Sequence, residues 1–342
     1  MSLSRVLSIF AICLFGLIAV IALFKGKRAP QTEGGPIELP AAGEVKVVTD
    51  EAPIARAEQQ LPPGSPSHQS TLQTETSLAR PVPQEDRVNE FFNRGVPQLP
   101  IVTTVKYSSR VPWLKGRPAW LYDYAIHYKT SRHFIARSLN GRADYLKQDI
   151  AEGDRFNVLN PEKNFHFHLV VDVHNCKMLF YYIDEEAQES HLVKTYNVGL
   201  GRVDPSSTSG FLTPLGQFQL GDRTAVYSPK MKGFHNGERV ELISVFGTRW
   251  IPFECELADC TAPAKGFGIH GVPWVLDPTT GKLQEDTAGI GKHHSDGCVR
   301  LATADVEELF SIIISRPTTI ELVRNWQDAA VTTQSPTDKK RG

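Results

Sequence analysis

Two short segments carry residue types that could do nucleophilic chemistry. Gly291 to Leu301 reads Gly-Lys-His-His-Ser-Asp-Gly-Cys-Val-Arg-Leu, and Gly268 to Gly271 reads Gly-Ile-His-Gly. A thiol is a good nucleophile only as the thiolate, and a nearby imidazole can take its proton or lower its pKa. Glycines next to such residues let backbone N–H groups approach a substrate closely. The chemistry these types suggest is acyl transfer. Cys298 is the nucleophile and His270 the base that takes the thiol proton and later returns it to a leaving amine. The N–H groups around Gly297 and Cys298 would stabilise the tetrahedral oxyanion. Ser295 would orient the loop or His270 through a hydrogen bond. Arg300 could hold a substrate carboxylate or pin the loop, because a guanidinium suits a two-pronged contact with either. Gly271 is placed with Arg300 on the substrate side.

In this order, and with Thr213-Pro214-Leu215-Gly216 upstream, the segments resemble the L,D-transpeptidase catalytic domain, the YkuD family. That family reads Thr-Pro-x-Gly, then His-Gly, a variable insert, and Ser-x-Gly-Cys-(Ile/Val)-Arg-(Leu/Met). The matching residues are His270-Gly271 and Ser295-Asp296-Gly297-Cys298-Val299-Arg300-Leu301, and the resemblance spans roughly residues 162 to 325. It implies a mainly β fold, a β-sandwich with Greek-key character. It implies peptidoglycan stem peptides as partners. The enzyme would attack the bond after the L-centre of the third residue of a stem tetrapeptide. D-alanine would leave, a thioester would form on Cys298, and an acceptor amine would take the acyl group. Water as acceptor would make the enzyme an L,D-carboxypeptidase. No cofactor and no metal is implied.

Two features depart from the family pattern. Asp296 stands where many members have histidine, and a carboxylate two residues from the thiol tends to raise its pKa. His293 or His294 could offset that. The 24 residues between His270 and Ser295 form a longer insert than usual, containing Trp274, Asp277-Pro278 and Gly281. They read as a loop able to cover the cleft. Two rival readings stand beside the enzyme. Cys255, Cys260, His270 and His293 or His294 are zinc-binding types, although their spacing fits no finger pattern. A wall-binding protein with a degenerate site is the other.

Composition narrows the setting. The net charge of −1 comes from scattered basic and acidic residues, with no basic face to engage nucleic acid. Five cysteines leave at least one unpaired. Cys255 and Cys260 could bridge in an oxidising compartment, while Cys176 reads as a small buried residue.

The elements that must position the site are laid out along the chain. Val6 to Phe24 is an uncharged run that would span about 29 Å as a helix, so residues 1–28 are expected to be an uncleaved inner-membrane anchor. Arg5 precedes the run, and Lys25, Lys27 and Arg28 come after it, which taken alone favours a cytoplasmic C-terminal side. The catalytic motif instead requires a periplasmic or wall-facing domain. Residues 29–85, rich in Pro, Glu, Gln, Ser and Thr, are expected to form a disordered linker. Residues 86–161 make a small α+β subdomain, with a helix-like pattern over Ala119 to Leu139 and then a Gly-Asp turn and a strand. That order weakly resembles a LysM-type module, which would add glycan strands as a partner; a packing subdomain is the alternative. Residues 162–325 form the catalytic domain. Phe165 to Val173 alternates as a strand, with His166, His168 and His174 on a solvated face. Further strands are expected at Cys176 to Ile183, His191 to Val198 and Leu242 to Trp250. After Cys298, Val306, Leu309, Phe310 and Ile313 form the core stripe of a helix that Thr303 can cap and Pro317 ends. Thr318 to Val323 is a closing strand, and residues 326–342 a disordered tail.

Overall fold

The structure, a computed structural model, describes residues 80–333. The expected anchor over residues 1–28 and nearly all of the linker lie outside that range. Among the described residues no helix is long and apolar enough to cross a membrane.

The N-terminal unit contains helix α1 (Asn89–Phe92), strand β1 (Val102–Lys106), helices α2 (Leu121–His127) and α3 (Arg132–Asn140), and strand β2 (Arg155–Leu159). β1 and β2 pair antiparallel from Val102↔Leu159 to Lys106↔Arg155, giving a strand–helix–helix–strand order. The helical pattern expected over Ala119 to Leu139 breaks in two. Lys129 takes a left-handed conformation (φ 46°), and Ser131 caps α3 by accepting the His133 N–H at 3.1 Å. This unit shares its core with the large sheet. Phe91 packs on Phe134, Phe167 and Phe180 with ring centroids 5.9, 6.2 and 6.1 Å away.

The period-two pattern from Phe165 becomes β3 (Phe165–Asp172), and after it come β4 (Lys177–Asp184), β5 (Glu189–Asn197), β6 (Leu200–Gly201), β7 (Gly216–Leu220) and β8 (Ala225–Val226). β9 (Lys232–His235) and β10 (Glu238–Glu241) form a hairpin that leads into α4 (Ile243–Phe246). Next are β11 (Arg249–Ala258), β12 (Gly268–Gly271), the hairpin of β13 (Trp274–Leu276) and β14 (Leu283–Glu285), β15 (His293–Ser295) and β16 (Val299–Leu301). Helix α5 (Thr303–Ile313), β17 (Thr318–Val323) and α6 (Ala330–Thr333) complete the order. The strand expected from Leu242 therefore starts only at Arg249: Gly247, at φ 61°, ends a short helix first.

The main sheet has nine strands in the order β16-β12-β11-β7-β17-β3-β4-β5, with β8 beside β11. It is one curled sheet rather than two stacked ones. The cause is visible at α5, whose Val306, Leu309, Phe310, Ile312 and Ile313 are buried in the common core. One end of the sheet reaches this helix through Lys194 on β5, whose Nζ lies 2.7 Å from Glu308. The other end reaches it through Gly271 on β12, where an added Cβ would sit 3.3 Å from Val306. Both ends converge on the same helix, so the sheet must bend around it. Two neighbouring pairs are parallel, β12 with β16 and β17 with β3.

Two further expectations change. Trp326–Asp328 forms a 3-10 turn and Ala330–Thr333 a helix, so the first part of the expected tail is ordered. Ala329 and Val331 cover Val170, Leu179 and Tyr181 on the outer face of β3 and β4. Burying that apolar face drives the ordering. The same cover means the histidine face of β3 is not fully solvated. His168 is buried, with Nδ1 2.7 Å from Thr319 Oγ1 and Nε2 3.3 Å from Glu321. His166 pairs with Glu185. At the N-terminal edge the chain joins β5 earlier than the linker boundary implied: the Thr195 N–H donates to the Glu85 carbonyl at 2.9 Å.

Candidate active site

The site lies on the parallel pair. β12 and β16 align Ile269↔Val299, His270↔Arg300 and Gly271↔Leu301. Side chains alternate across a strand, and partners in parallel register point the same way. Ile269, Val299 and Leu301 enter the core. His270 and Arg300 project to the opposite face, and Cys298 sits in the bend directly ahead of β16, with the backbone of Gly268 at the start of β12 beside its thiol. The sheet thus brings the expected base and arginine to one face and the expected nucleophile to the head of the adjoining strand.

His270 is buried, and its Nδ1 lies 2.7 Å from the carbonyl of Gly271. A carbonyl can only accept, so Nδ1 carries the proton and Nε2 is the basic nitrogen. Burial pulls the imidazole down to about 4, with Arg300 and His235 adding to the effect and the Gly271 and Phe246 backbone opposing it. Phe246 meets the ring edge-on at 5.6 Å and Trp250 lies 5.9 Å away, so the imidazole is walled by aromatics.

Cys298 is half-buried, with Sγ 3.7 Å from the Gly266 carbonyl. Burial pushes the thiol up to about 11, against the Gly268 backbone and Arg300, which favour the thiolate, while Asp296 adds slightly to the rise. Burial thus favours the neutral form of both the thiol and the imidazole.

The loop into Cys298 is clamped. The Ser295 side chain is buried; its hydroxyl accepts the Gly297 N–H at 3.1 Å and donates to the Cys298 carbonyl at 2.7 Å. Ser295 thus orients the loop rather than His270. The Gly297 N–H is spent on this contact, which leaves the N–H groups of Asp296 and Cys298 without a partner among the described residues. Gly297 must be glycine: its φ is +120°, and a Cβ would approach the Phe267 ring to 2.6 Å.

Among the described residues Arg300 has no ion-pair partner, and its buried Nε has no hydrogen-bond partner. Gly271, expected at the substrate, is buried against Gly247 and Thr248, and the contribution its geometry shows is the carbonyl held by His270.

Asp296 is answered by a partner the sequence did not suggest. Arg202 Nη2 lies 2.5 Å from its Oδ1, both side chains exposed. His293 is occupied elsewhere, stacked on Phe211 at 4.4 Å with Nε2 2.8 Å from the Val173 carbonyl. The long insert is a pinned hairpin. Trp274 Nε1 donates to Thr303 Oγ1 at 3.1 Å, and the Glu285 carboxylate accepts the Thr303 N–H at 2.8 Å. Glu285 therefore serves the start of α5, where Thr303 was expected to act as its own cap. Cys176, Cys255, Cys260 and Cys298 are free thiols, so Cys255 and Cys260 are not bridged. Among the described residues no three His, Cys, Asp or Glu side chains are placed to hold a metal ion, so the alternative zinc grouping is not assembled.

No curated protein matches this chain. Solved structures similar to it include Bd1075 from Bdellovibrio bacteriovorus, at 15% identity and a TM-score of 0.30 over 47% of this chain and 48% of that one. Another is the helical cell shape determining protein Pgp2 from Campylobacter jejuni, at 16% identity and a TM-score of 0.29 over 47% and 49%. The chain spans about half the length of these structures, and at that similarity they carry no weight in assigning its chemistry. The family comparison is sharper and covers the strands that hold His270, Cys298 and Arg300: residues 166–322 match the YkuD family, the L,D-transpeptidase catalytic domain.

Proposed function

We propose that the chain is an L,D-transpeptidase acting on peptidoglycan stem peptides. The observation that carries this reading is the parallel pairing that sets His270 beside Arg300 with Cys298 directly ahead of the same strand, and His270 Nδ1 tied to Gly271 so that Nε2 is left to accept a proton. In the reaction, the thiol turns from the Gly266 carbonyl toward His270. Nε2 takes its proton as sulfur attacks the carbonyl of the third stem residue. The oxyanion forms against the Cys298 N–H. The C–N bond then breaks, His270 gives its proton to the departing D-alanine amine, and the acyl group remains as a thioester on Cys298. An acceptor amine loses a proton to His270 and attacks the thioester, and the thiol is regenerated. Because both groups rest neutral, His270 works as a general base in the attack rather than as half of a standing ion pair. Arg300 binds a donor carboxylate.

The same reading places the domain on the outer side of a membrane, anchored through Val6 to Phe24, with residues 86–161 available to contact glycan strands. Intact-mass analysis of the full chain with a disaccharide tetrapeptide, wild type beside Cys298→Ala, tests the activity. Loss of D-alanine with a crosslinked dimer, in the wild type only, is the expected result. Tripeptide without dimer would reassign the protein as an L,D-carboxypeptidase. No turnover, with Cys298 also slow toward iodoacetamide, would leave a wall-binding protein with a degenerate site.

A further inference from the structure

We propose that Thr213 is a positioning residue for this acyl transfer: its buried hydroxyl fixes the plane of the Gly297–Cys298 peptide and so aims the Cys298 N–H at the oxyanion. The inference rests on the functional reading above and deepens it.

Thr213 lies in the turn before β7 and is fully buried. Its Oγ1 accepts the Gly201 N–H at 2.7 Å and donates to the Gly297 carbonyl at 3.0 Å. A hydroxyl has one proton to give. Accepting from Gly201 orients the lone pairs and leaves that proton for Gly297, so the two bonds support each other. The result is a relay from the end of β6, through the Thr213 side chain, to the peptide that enters the nucleophile.

The C=O and N–H of a trans peptide point in opposite directions. Holding the Gly297 oxygen on the buried Thr213 therefore turns the Cys298 N–H the other way. That N–H has no partner among the described residues, while the neighbouring Gly297 N–H is spent on Ser295. Of the loop's two N–H groups without a partner among the described residues, Asp296 and Cys298, the one at the nucleophile is the one whose direction Thr213 sets. Close packing keeps the arrangement stiff. A Cβ at Gly201 would sit 2.4 Å from the Thr213 N and 2.8 Å from its Oγ1. A Cβ at Gly297 would lie 2.8 Å from the carbonyl of Leu212, the residue before Thr213. Neither strand end can drift without losing the hydroxyl's two bonds.

Two reactions of the same thiol separate positioning from general damage. Acyl transfer develops an oxyanion and uses the N–H, whereas alkylation by iodoacetamide displaces iodide at carbon and develops none. In Thr213→Val, kcat on the disaccharide tetrapeptide should fall about 10- to 100-fold with KM little changed, while the Cys298 alkylation rate stays within about twofold of wild type. Thr213→Ser should restore kcat, since it keeps the hydroxyl. Thr213→Ala, which removes both bonds without placing a second methyl against Gly201, serves if the valine variant does not fold. Wild-type kcat in the valine or alanine variant would overturn the proposal, as would alkylation falling in step with kcat or failure of both variants to fold. A wild type that never turns over defeats the functional reading instead, and that result is distinguishable because it precedes any comparison of variants.

Discussion

The hydroxyl of Ser295 reaches forward three residues to the carbonyl of Cys298 at 2.7 Å, closing the nucleophile loop on itself. Because it also accepts the Gly297 N–H, Ser295→Ala leaves a buried donor and a buried acceptor unpaired at once. The expected cost is about 1–3 kcal/mol for each group left unpaired, seen as a lower melting temperature, together with a fall in kcat as the loop loosens. An unchanged melting temperature in calorimetry would show that water replaces the hydroxyl without loss.

The acid limb of the rate should lie far below the usual histidine range. With His270 at about 4, Nε2 stays able to accept a proton at every pH above that value. The kcat/KM profile should therefore stay flat downward from neutrality and fall only near pH 4. With the thiol at about 11, no thiolate absorbance should appear at pH 7. A limb near 6.5, or a thiolate band at neutral pH, would instead show a resting ion pair.

Fold stability should erode in the window just above that limb. His270 and His133 are both held neutral by burial, at about 4 and about 3. Both lie below the unfolded value of about 6.5, so the unfolded chain takes up protons first as pH falls. The stability from these two groups is complete above about 6.5 and is lost progressively toward 4 and then 3. Glu321 adds to the loss at lower pH: burial pushes its carboxyl up, but hydrogen bonds from His168, the Ala330 N–H and Gln217 outweigh that and hold it below its ordinary value. Melting temperatures at pH 7.5, 5.5 and 4.5 should descend in that order, and equal values would contradict the assignment.

Arg300→Gln should raise KM for a donor with a free carboxylate by about 10- to 100-fold, the scale of one charged hydrogen-bonded contact. The test is a donor whose carboxylate is amidated. Wild type and variant should bind it alike, and a difference that persists would move Arg300 from substrate binding to loop support.

Arg249 joins the small N-terminal unit to the sheet. It is 1% exposed, 2.5 Å from Asp144 and 3.5 Å from Glu307, and lies over the Phe310 ring at 5.3 Å. Asp144→Ala removes the nearer partner of a buried charge, and roughly 3 kcal/mol of stability should go with it. Because Trp250 comes directly after Arg249 and packs on His270, kcat should fall as well. Loss of stability with kcat untouched would show that the two units are joined without sharing the site.

Much of this was legible from residue types. Phe165 and its alternating neighbours predicted β3, and the stripe from Val306 to Ile313 predicted α5, which ends four residues before Pro317. Cys298 and His270 stood in motifs, so both could be singled out before any geometry. What escaped depended on contacts distant in sequence. Nothing near Asp296 points to Arg202, 94 positions away. Nothing in Leu242 to Trp250 reveals that Phe246 and Trp250 wall the base, because an apolar run reads alike as strand or short helix. The outer face of β3 looked solvated since histidine is polar, yet Val170, Leu179 and Tyr181 beside it needed a cover that Ala329 and Val331 supply. Thr213 was visible as a motif letter, but its role appears only when Gly201 and Gly297 meet around it.

The parallel pairing of β12 with β16 means that His270 and Cys298 are not held by the peptide connection between them. That connection is a hairpin fastened at its base to α5, with an exposed tip from Pro278 to Lys282. Register and core burial, rather than the connection's length, fix the spacing of His270 and Cys298. The tip can therefore lengthen, shorten or be severed while the two halves of the molecule stay zipped together. The chemistry belongs to a seam, and the hairpin is free to change its grip on substrates without disturbing what the seam does.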